Sequence, residues 1–319
     1  MRRKIGVALC VLGLFLAVFG IVWITVIWPT LAKVPADLDQ ATSQQGTVTL
    51  YDAAHNAYVT YDVINSRHYV AVAATTNIVY LEETITFTDT STDQEIPSLR
   101  AKYHLGIDRV TRQNVEGRGD GIGGGHYSFP FGVDKDTVYQ FWNEGNPANI
   151  ECTYVGETKF EGLRVYVFEM ATPDEGLTTP AGFVLPDLRE YQPAMRIDQK
   201  ITLYVEPVSG VTVYFEGTTR RSGTIPIPDE LFPVTGPVTN TPVVFYEDNL
   251  SFTDATVQDL VGQAKSAKTQ VTLAKNLLPW LSIGSGIVLI IVGTFLALKP
   301  NRPAPVTPAK EATGGEQST

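Results

Sequence analysis

Cysteine is nearly absent from this chain of 319 residues, which has only Cys10 and Cys152. Cys10 stands inside a long apolar run, so no intramolecular disulfide can staple the rest, and a packed core must hold it together. Cys152 sits among Ile150, Tyr154 and Val155. That strand-like context reads it as a small buried apolar residue, since a reactive thiolate needs a basic neighbour. Histidine is almost as sparse: His55, His68, His104 and His126 are scattered, with no HExxH and no Cys/His pair at metal spacing. No metal site and no cofactor are expected. Basic charge is in deficit as well, with 24 Lys and Arg against 34 Asp and Glu. An acidic chain of this kind is a poor broad electrostatic partner for nucleic acid or anionic headgroups.

What the chain has in excess is two long apolar runs. Ile5 to Trp28 carries no charge and is dominated by Val, Leu, Ile, Phe and Trp, and a second uncharged run extends from Leu277 to Leu298. At ~1.5 Å per residue each is long enough to cross a hydrocarbon layer of ~30 Å, which predicts two transmembrane helices, residues 5–28 and 277–298. Thr30-Leu31-Ala32 offers a cleavage site for a signal peptide. The apolar core far exceeds the ~7–15 residues of such peptides, which favours a retained anchor. A lipoprotein reading of Cys10 fails because Leu9 is too large for the residue before such a cysteine. Arg2, Arg3 and Lys4 in the N-terminal segment 1–4 place that end in the cytoplasm. Lys299 and Arg302 agree with a cytoplasmic tail over 299–319, expected to be disordered, although Lys265, Lys268 and Lys275 dilute that second signal. The intervening residues 33–276 then lie outside the membrane on the far side, with 32 acidic and 18 basic residues and a net charge of −14.

Between the spans the pattern is β. HYVAVAA, NIVYLEETITFTD and RVYVFEM are rich in Val, Ile, Tyr, Thr and Phe, with period-two alternation and polar or Gly/Pro breaks. KITLYVEPVSGVTVYFEG reads as a hairpin turning at Pro207-Val208-Ser209-Gly210, and CTYVGETKFEGLRVYVFEM as another turning around Lys159 to Gly162. An antiparallel β-domain over 33–252 is predicted, either a sandwich or a curved half-barrel. Thr172 to Pro193 and Ser222 to Pro242 are Pro-rich and loop-like, suiting either a cover over the sheet or a solvated linker. From Thr253 the period becomes helical, with Ala264, Ala267, Val271, Ala274 and Leu278 on one side and Thr253 or Ser251 as cap. This predicts an amphipathic helix over 253–276, with Pro279 at its joint with the second span.

Small residues stripe both spans. Gly6, Gly13 and Gly20 recur every seven residues, and Ser282, Gly286, Gly293 and Ala297 form a comparable stripe, so these faces could pack the helices together. Glycines also crowd the stretch GRGDGIGGGHYSFPFG from Gly117 to Gly132, where Arg118-Gly119-Asp120 spells RGD and Gly119, Gly121 and Gly124 fit GxGxxG. A dinucleotide site needs a helix after the glycines, and Pro130 among aromatics opposes one. The tripeptide is explained by a turn.

A series of landmarks runs through the domain: Asp108, Arg109 and Thr111; Phe129-Pro130-Phe131 followed by Asp134 and Lys135; Tyr139 and Trp142; and Gly162, Leu163, Tyr166 and Phe168. In this order, and with flanking apolar helices, the chain resembles an actinobacterial envelope family labelled "porin PorA", over nearly its whole length. One departure is Asn143, where the resemblance implies Asp. The label implies a pore, yet a porin needs a closed barrel of amphipathic strands rather than two apolar helices. Such helices could enclose a pore only in a homo-oligomer, and neither carries a charge or polar stripe to hold water.

No catalytic constellation stands out, and a non-enzyme is expected. Asp134 and Asp136 read as turn acids, and Glu82 and Glu83 point to opposite faces of a strand. The densest aromatic cluster is Tyr127, Phe129, Phe131, Tyr139, Phe141 and Trp142. It is either core at the end of the sheet or the lining of an apolar pocket; in the second case Tyr127, Phe129, Phe131, Tyr139 and Trp142 would bind a lipid or other envelope ligand. An oligomeric channel and a structural or partner-docking ectodomain are the other readings.

Overall fold

The computed structural model describes residues 2–52, 57–180, 194–224 and 243–298. The chain divides into two compact units, Trp28–Lys275 and the pair of end segments Met1–Ile27 and Asn276–Thr319. The tail over 299–319, His55, and the parts of the two Pro-rich segments that contain Pro186, Pro193 and Pro242 lie outside the described residues.

In the smaller unit, α1 (Arg2–Val22) and α4 (Leu278–Leu298) run antiparallel. Each belongs to a helical run long and apolar enough to cross a membrane. A Cβ on Gly6 would lie 2.6 Å from the Gly293 carbonyl oxygen, one on Gly13 2.5 Å from that of Gly286, and one on Gly20 2.8 Å from that of Pro279. The seven-residue stripe is therefore where the two backbones touch, and any side chain there would force them apart. Both helical runs widen to π-helical turns, at Trp23–Ile27, which leads into α2 (Trp28–Leu31), and at Thr272–Leu277. Each wide turn ends two residues before a proline, Pro29 or Pro279. A proline inside a helix lacks the N–H for the preceding turn and crowds a carbonyl there, and a widened turn relieves both faults. The joint before α4 is thus the π-turn, with Pro279 already inside the helix.

Among the described residues the larger unit holds twelve strands: β1 (Asp39–Asp52), β2 (Ala57–Ala74), β3 (Ile78–Asp89), β4 (Gln94–Glu95), β5 (Ala101–Asp108), β6 (Tyr139–Phe141), β7 (Ile150–Phe160), β8 (Leu163–Ala171), β9 (Leu177–Pro180), β10 (Ala194–Val205), β11 (Thr212–Thr224) and β12 (Val243–Phe252). They form one antiparallel sheet in the order β4-β3-β2-β1-β12-β11-β10-β8-β7-β6, with β5 also on β3 and β9 on β10. A single sheet forms rather than the two of a sandwich. Both expected hairpins are present. The β7–β8 turn uses Glu161 and Gly162 with φ of 47° and 77°, and Gly210 at φ 71° ends the β10–β11 turn. The segment from Thr172 is not all loop, because Leu177–Pro180 pairs with Ala194–Ile197. Ser222–Thr224, expected as the start of a second loop, continue β11.

The sheet is not closed, since β5 and β6 do not pair with each other. Single bridges step across the gap through the glycine-rich loop: Ile107 with Asn114, Gln113 with His126, and His126 with Phe141. Gly117, Gly119, Gly124 and Gly132 all adopt positive φ there, and no helix follows the glycines. Asp120 of the Arg-Gly-Asp tripeptide is tied back to β5, its N–H donating to the His104 carbonyl at 2.7 Å. The stretch is thus a structural seam.

Side chains alternate strictly along β3, where Val79, Leu81, Glu83, Ile85 and Phe87 face inward and Glu82, Thr84, Thr86 and Thr88 outward. The outward residues of β11 and β12 include Glu216, Thr218 and Arg220 and Glu247 and Asn249, whereas those of β8 and β10 include Leu163, Val165 and Tyr204 beneath α3 (Asp254–Val271). A membrane-spanning barrel presents an apolar band outward all around its wall, and these strands do not. Helix α3 is capped by Thr253, whose hydroxyl accepts from the Thr256 N–H. It packs Val261 and Ala264 on Leu163, Val165 and Val213.

Candidate functional site

Within the larger unit the sheet surrounds a cavity of about 510 Å³. Its lining changes character along single strands. On β10, Gln199 gives way to Ile201 and Leu203; on β11, Arg221 and Thr219 give way to Gly217 and Phe215; on β12, Tyr246 and Asp248 give way to Leu250 and Phe252. Since alternate residues share a face, each strand delivers one polar and one apolar end to the same interior. Leu260 of α3 joins the lining, as do Asn65, Arg67 and Tyr69 of β2.

The polar part is organised around a turn inserted from β6. Asn146 N–H donates to Asn143 C=O at 3.0 Å, and Gly145 has φ 77°, a left-handed backbone for which glycine is suited. The turn projects Glu144 between two wall arginines. Its carboxylate pairs with Arg67, and its main-chain carbonyl accepts from Arg221 Nη2 at 3.2 Å. Arg67 also donates through Nε to Glu83 at 2.9 Å. Glu83 is 0% exposed and Glu144 15%. A further chain of bonds fixes the turn: Trp142 Nε1 to the Asn146 carbonyl, Asn146 to Gln199 at 3.3 Å, and Gln199 to Thr219 at 3.1 Å. Thr219 N–H and the Tyr246 hydroxyl donate to the two oxygens of Asp248, at 2.7 Å and 2.6 Å.

Burial dominates the protonation of this group. It pushes Glu144 up to about 7, against the pull of Arg67 and with added repulsion from Glu83. Asp248 is raised by burial despite its three hydrogen-bonding contacts and Arg221, and Tyr127 is raised well beyond the ordinary phenol range for the same reason. Burial also pulls Arg67 down, but Glu144 and Glu83 together hold it well above its usual value. Arg112, which lies 4.4 Å over the Phe131 ring, is lowered by burial to about 10.

The aromatic residues singled out in the sequence do not form one surface. Tyr127 and Trp142 line the cavity, Tyr127 edge-on to Tyr69 at 5.0 Å and Trp142 edge-on to Tyr103 at 5.8 Å. Phe129 and Tyr139 belong instead to the core cluster behind the cavity wall with Phe141 and Phe168, Phe129 being 0% exposed, and Phe141 of that cluster reaches the cavity. Phe131 packs between Arg112 and Trp28. Cys152 is in the same core cluster, and burial pushes its thiol up to about 12, which removes it as a nucleophile. Among the described residues no group of His, Cys, Asp and Glu is placed to hold a metal ion.

Sequence reasoning missed Arg67, Glu83, Glu144, Arg221 and Asp248. A usable signal was present for four of them: each is a charged residue in the inward phase of a strand whose neighbours in that phase include Val63, Ile85, Phe215 or Leu250. Glu144 had none, because it lies in a turn.

Comparison with protein families matches the family described as Porin PorA over residues 5–295. Comparison with curated proteins finds no match. Among solved structures, a DUF1329 family protein from Desulfovibrio piger is similar at 9% identity, over 69% of this chain and 86% of that one, with a TM-score of 0.19.

Proposed function

The chain belongs to the Porin PorA family, and from that premise we propose that it is a membrane-anchored protein whose sheet interior binds an amphiphile, without catalysing a reaction. The observation that carries this reading is the interior with a polar and an apolar end, Arg67, Arg221 and Asp248 at one and Leu203, Phe215, Leu250 and Phe252 at the other. A volume of about 510 Å³ falls within the range of about 300–1,000 Å³ typical of small-molecule sites. It suits one acyl chain with its head rather than a bilayer's worth of lipid. The helices α1 and α4 would anchor the unit at a membrane, with Arg2, Arg3 and Lys4 on the cytoplasmic side. The polar outward residues of β3, β11 and β12 support this reading over a spanning barrel.

The test uses the full chain in lipid nanodiscs with a photoactivatable single-chain lipid, and peptides carrying the label are mapped by mass spectrometry. Label on peptides from Ile201 to Phe215 and around Leu250 is the expected result. Label confined to α1 and α4 would mean only bulk lipid contact and would end the proposal. Ion conductance in a planar bilayer without interior labelling would favour the channel reading instead.

A further inference from the structure

The chain is acidic overall, with a net charge of −10, yet among the described residues the cavity is lined by four arginines, Arg67, Arg100, Arg112 and Arg221, and by two acids, Glu144 and Asp248. Two of the arginines are unequal in a telling way. Arg67 holds two carboxylates, those of Glu83 and Glu144. Arg221 pairs with no described carboxylate: its Nη2 reaches the Glu144 main-chain carbonyl, its guanidinium lies 5.4 Å over the Tyr246 ring, and its Nε is sealed from solvent without a partner. Asp248 acts on Arg221 only through space, its oxygens being engaged by Tyr246 and Thr219. A half-buried cation without a direct ion pair is costly, and a sealed donor without an acceptor adds to that cost.

The second carboxylate on Arg67 does not belong to the wall. Glu144 arrives on the inserted turn, whereas Arg67, Glu83, Arg221 and Asp248 are held in β2, β3, β11 and β12. Without the turn, the wall strands keep two arginines and two acids, and Arg112 beside them makes the interior net positive. Building on the amphiphile reading, we propose that Arg67 and Arg221 form the binding site for the acidic head of a single-chain amphiphile, a carboxylate or a phosphate, and that Glu144 is a tethered acid occupying that site until the ligand takes its place. The planar guanidinium donors suit either oxyacid. The chain of the ligand would run toward Leu250, Phe252 and Leu203, as the polarity gradient of β10, β11 and β12 dictates.

The experiment uses the full chain in nanodiscs and three photoactivatable probes with the same acyl chain, ending in a carboxylate, a phosphate or a neutral amide. Interior labelling is titrated for the parent chain, Glu144→Ala, Arg221→Gln and Arg221→Lys. Removing the tethered acid should raise affinity for an acidic probe on the order of tenfold, the scale of one charge-assisted hydrogen bond, with the amide probe unchanged. Arg221→Gln should abolish the preference for acid over amide, and Arg221→Lys should retain part of it, which separates loss of charge from loss of fold. Whichever acidic probe gains more from Glu144→Ala identifies the oxyacid. Equal binding of all three probes, or an unchanged or lower acidic affinity in Glu144→Ala, overturns the proposal while leaving amphiphile binding in place. Absence of interior labelling by every probe overturns both.

Discussion

Glu82 and Glu83 are adjacent in the chain and separated by the thickness of one sheet. On the outer face Glu82 is 31% exposed and meets Lys102 at 2.8 Å, and that hydrogen bond holds its carboxyl below the usual range. On the inner face Glu83 is 0% exposed, shares Arg67 with Glu144, and leaves one oxygen sealed without a partner. The same contrast runs around the unit: Arg164 with Glu157 and Arg196 with Asp198 form exposed outer pairs, while Arg67, Glu144, Arg221 and Asp248 line one cavity and the buried Glu206 is held apart from it by Ser209 and Lys268. Outer pairs trade water for a neighbour at little net gain. Inner charges have given up most of their water, so each depends on the others, and an arrangement that costly is where binding is to be sought.

The contrast is broken most forcibly at Arg67. Replacing Arg67 by Met leaves Glu83 and Glu144 buried without their shared cation, and a loss of about 3–5 kcal/mol is expected, the cost of breaking a buried pair on one side. Denaturant unfolding of the full chain in detergent, followed by tyrosine and tryptophan fluorescence, reads this directly. Combining Arg67→Met with Glu83→Gln and Glu144→Gln should recover most of the loss, because no unpaired charge remains. Failure to recover would mean that Arg67 acts by packing and not by charge.

A smaller effect is expected from pH. Glu144 is raised from 4.5 to about 7 by burial, with Arg67 opposing and Glu83 assisting, and Tyr69, Tyr103, Tyr127 and Arg221 are the other titratable groups around it. Between those two values the folded chain holds a proton that the unfolded chain has released. Stability should therefore be fullest below pH 4.5 as far as this group is concerned, and should decline as pH rises to about 7. Asp248, also raised by burial, acts in the same direction, whereas Glu82, lowered by its bond to Lys102, and His126, lowered by burial, act in the opposite one. Over that interval the melting temperature of the parent chain should fall relative to that of Glu144→Gln. A difference between the two that does not change with pH would show that Glu144 stays ionised on Arg67.

How far the sequence revealed this contrast depends on the distance over which a signal acts. The apolar spans, the Gly6/Gly13/Gly20 stripe, the Thr253 cap and the two hairpins are local patterns of a few residues to one helix length, and they were legible. The turn at Pro207–Gly210 could be placed because its glycine and its flanking alternation lie within one window. Convergence of the inner charges was not legible, because Glu144 lies 77 residues from both Arg67 and Arg221. Alternation assigns a charge to the inward phase of a strand but does not state which distant strand faces it. The glycine-rich seam was readable as turns, and its bridging of the gap between β5 and β6 was not, since single bridges leave no periodicity. Thr178 and Thr179 were lost among neighbouring prolines, whose influence on loop assignment outweighed a strand of four residues.

The smallest effect should come from Glu82 itself. Glu82→Gln removes the partner of Lys102, which is 54% exposed and is left in water, and it removes a carboxylate 3.7 Å from His104, itself 63% exposed. Lys102 and the His104 ring recover full hydration, and mobile ions screen what remains, so melting temperature should stay where it was at moderate and at high salt. The measurement is informative because the outer face could instead be covered in the assembled protein. If a second copy or a headgroup layer lay against β3, Glu82 and Lys102 would be desolvated together, and the substitution would strand Lys102 as Arg67→Met strands Glu83. A drop approaching that of the inner variant, lessened by adding Lys102→Met, would mean that the two faces of β3 are buried alike, and the distinction between a solvated wall and a binding interior would have to be redrawn at that strand.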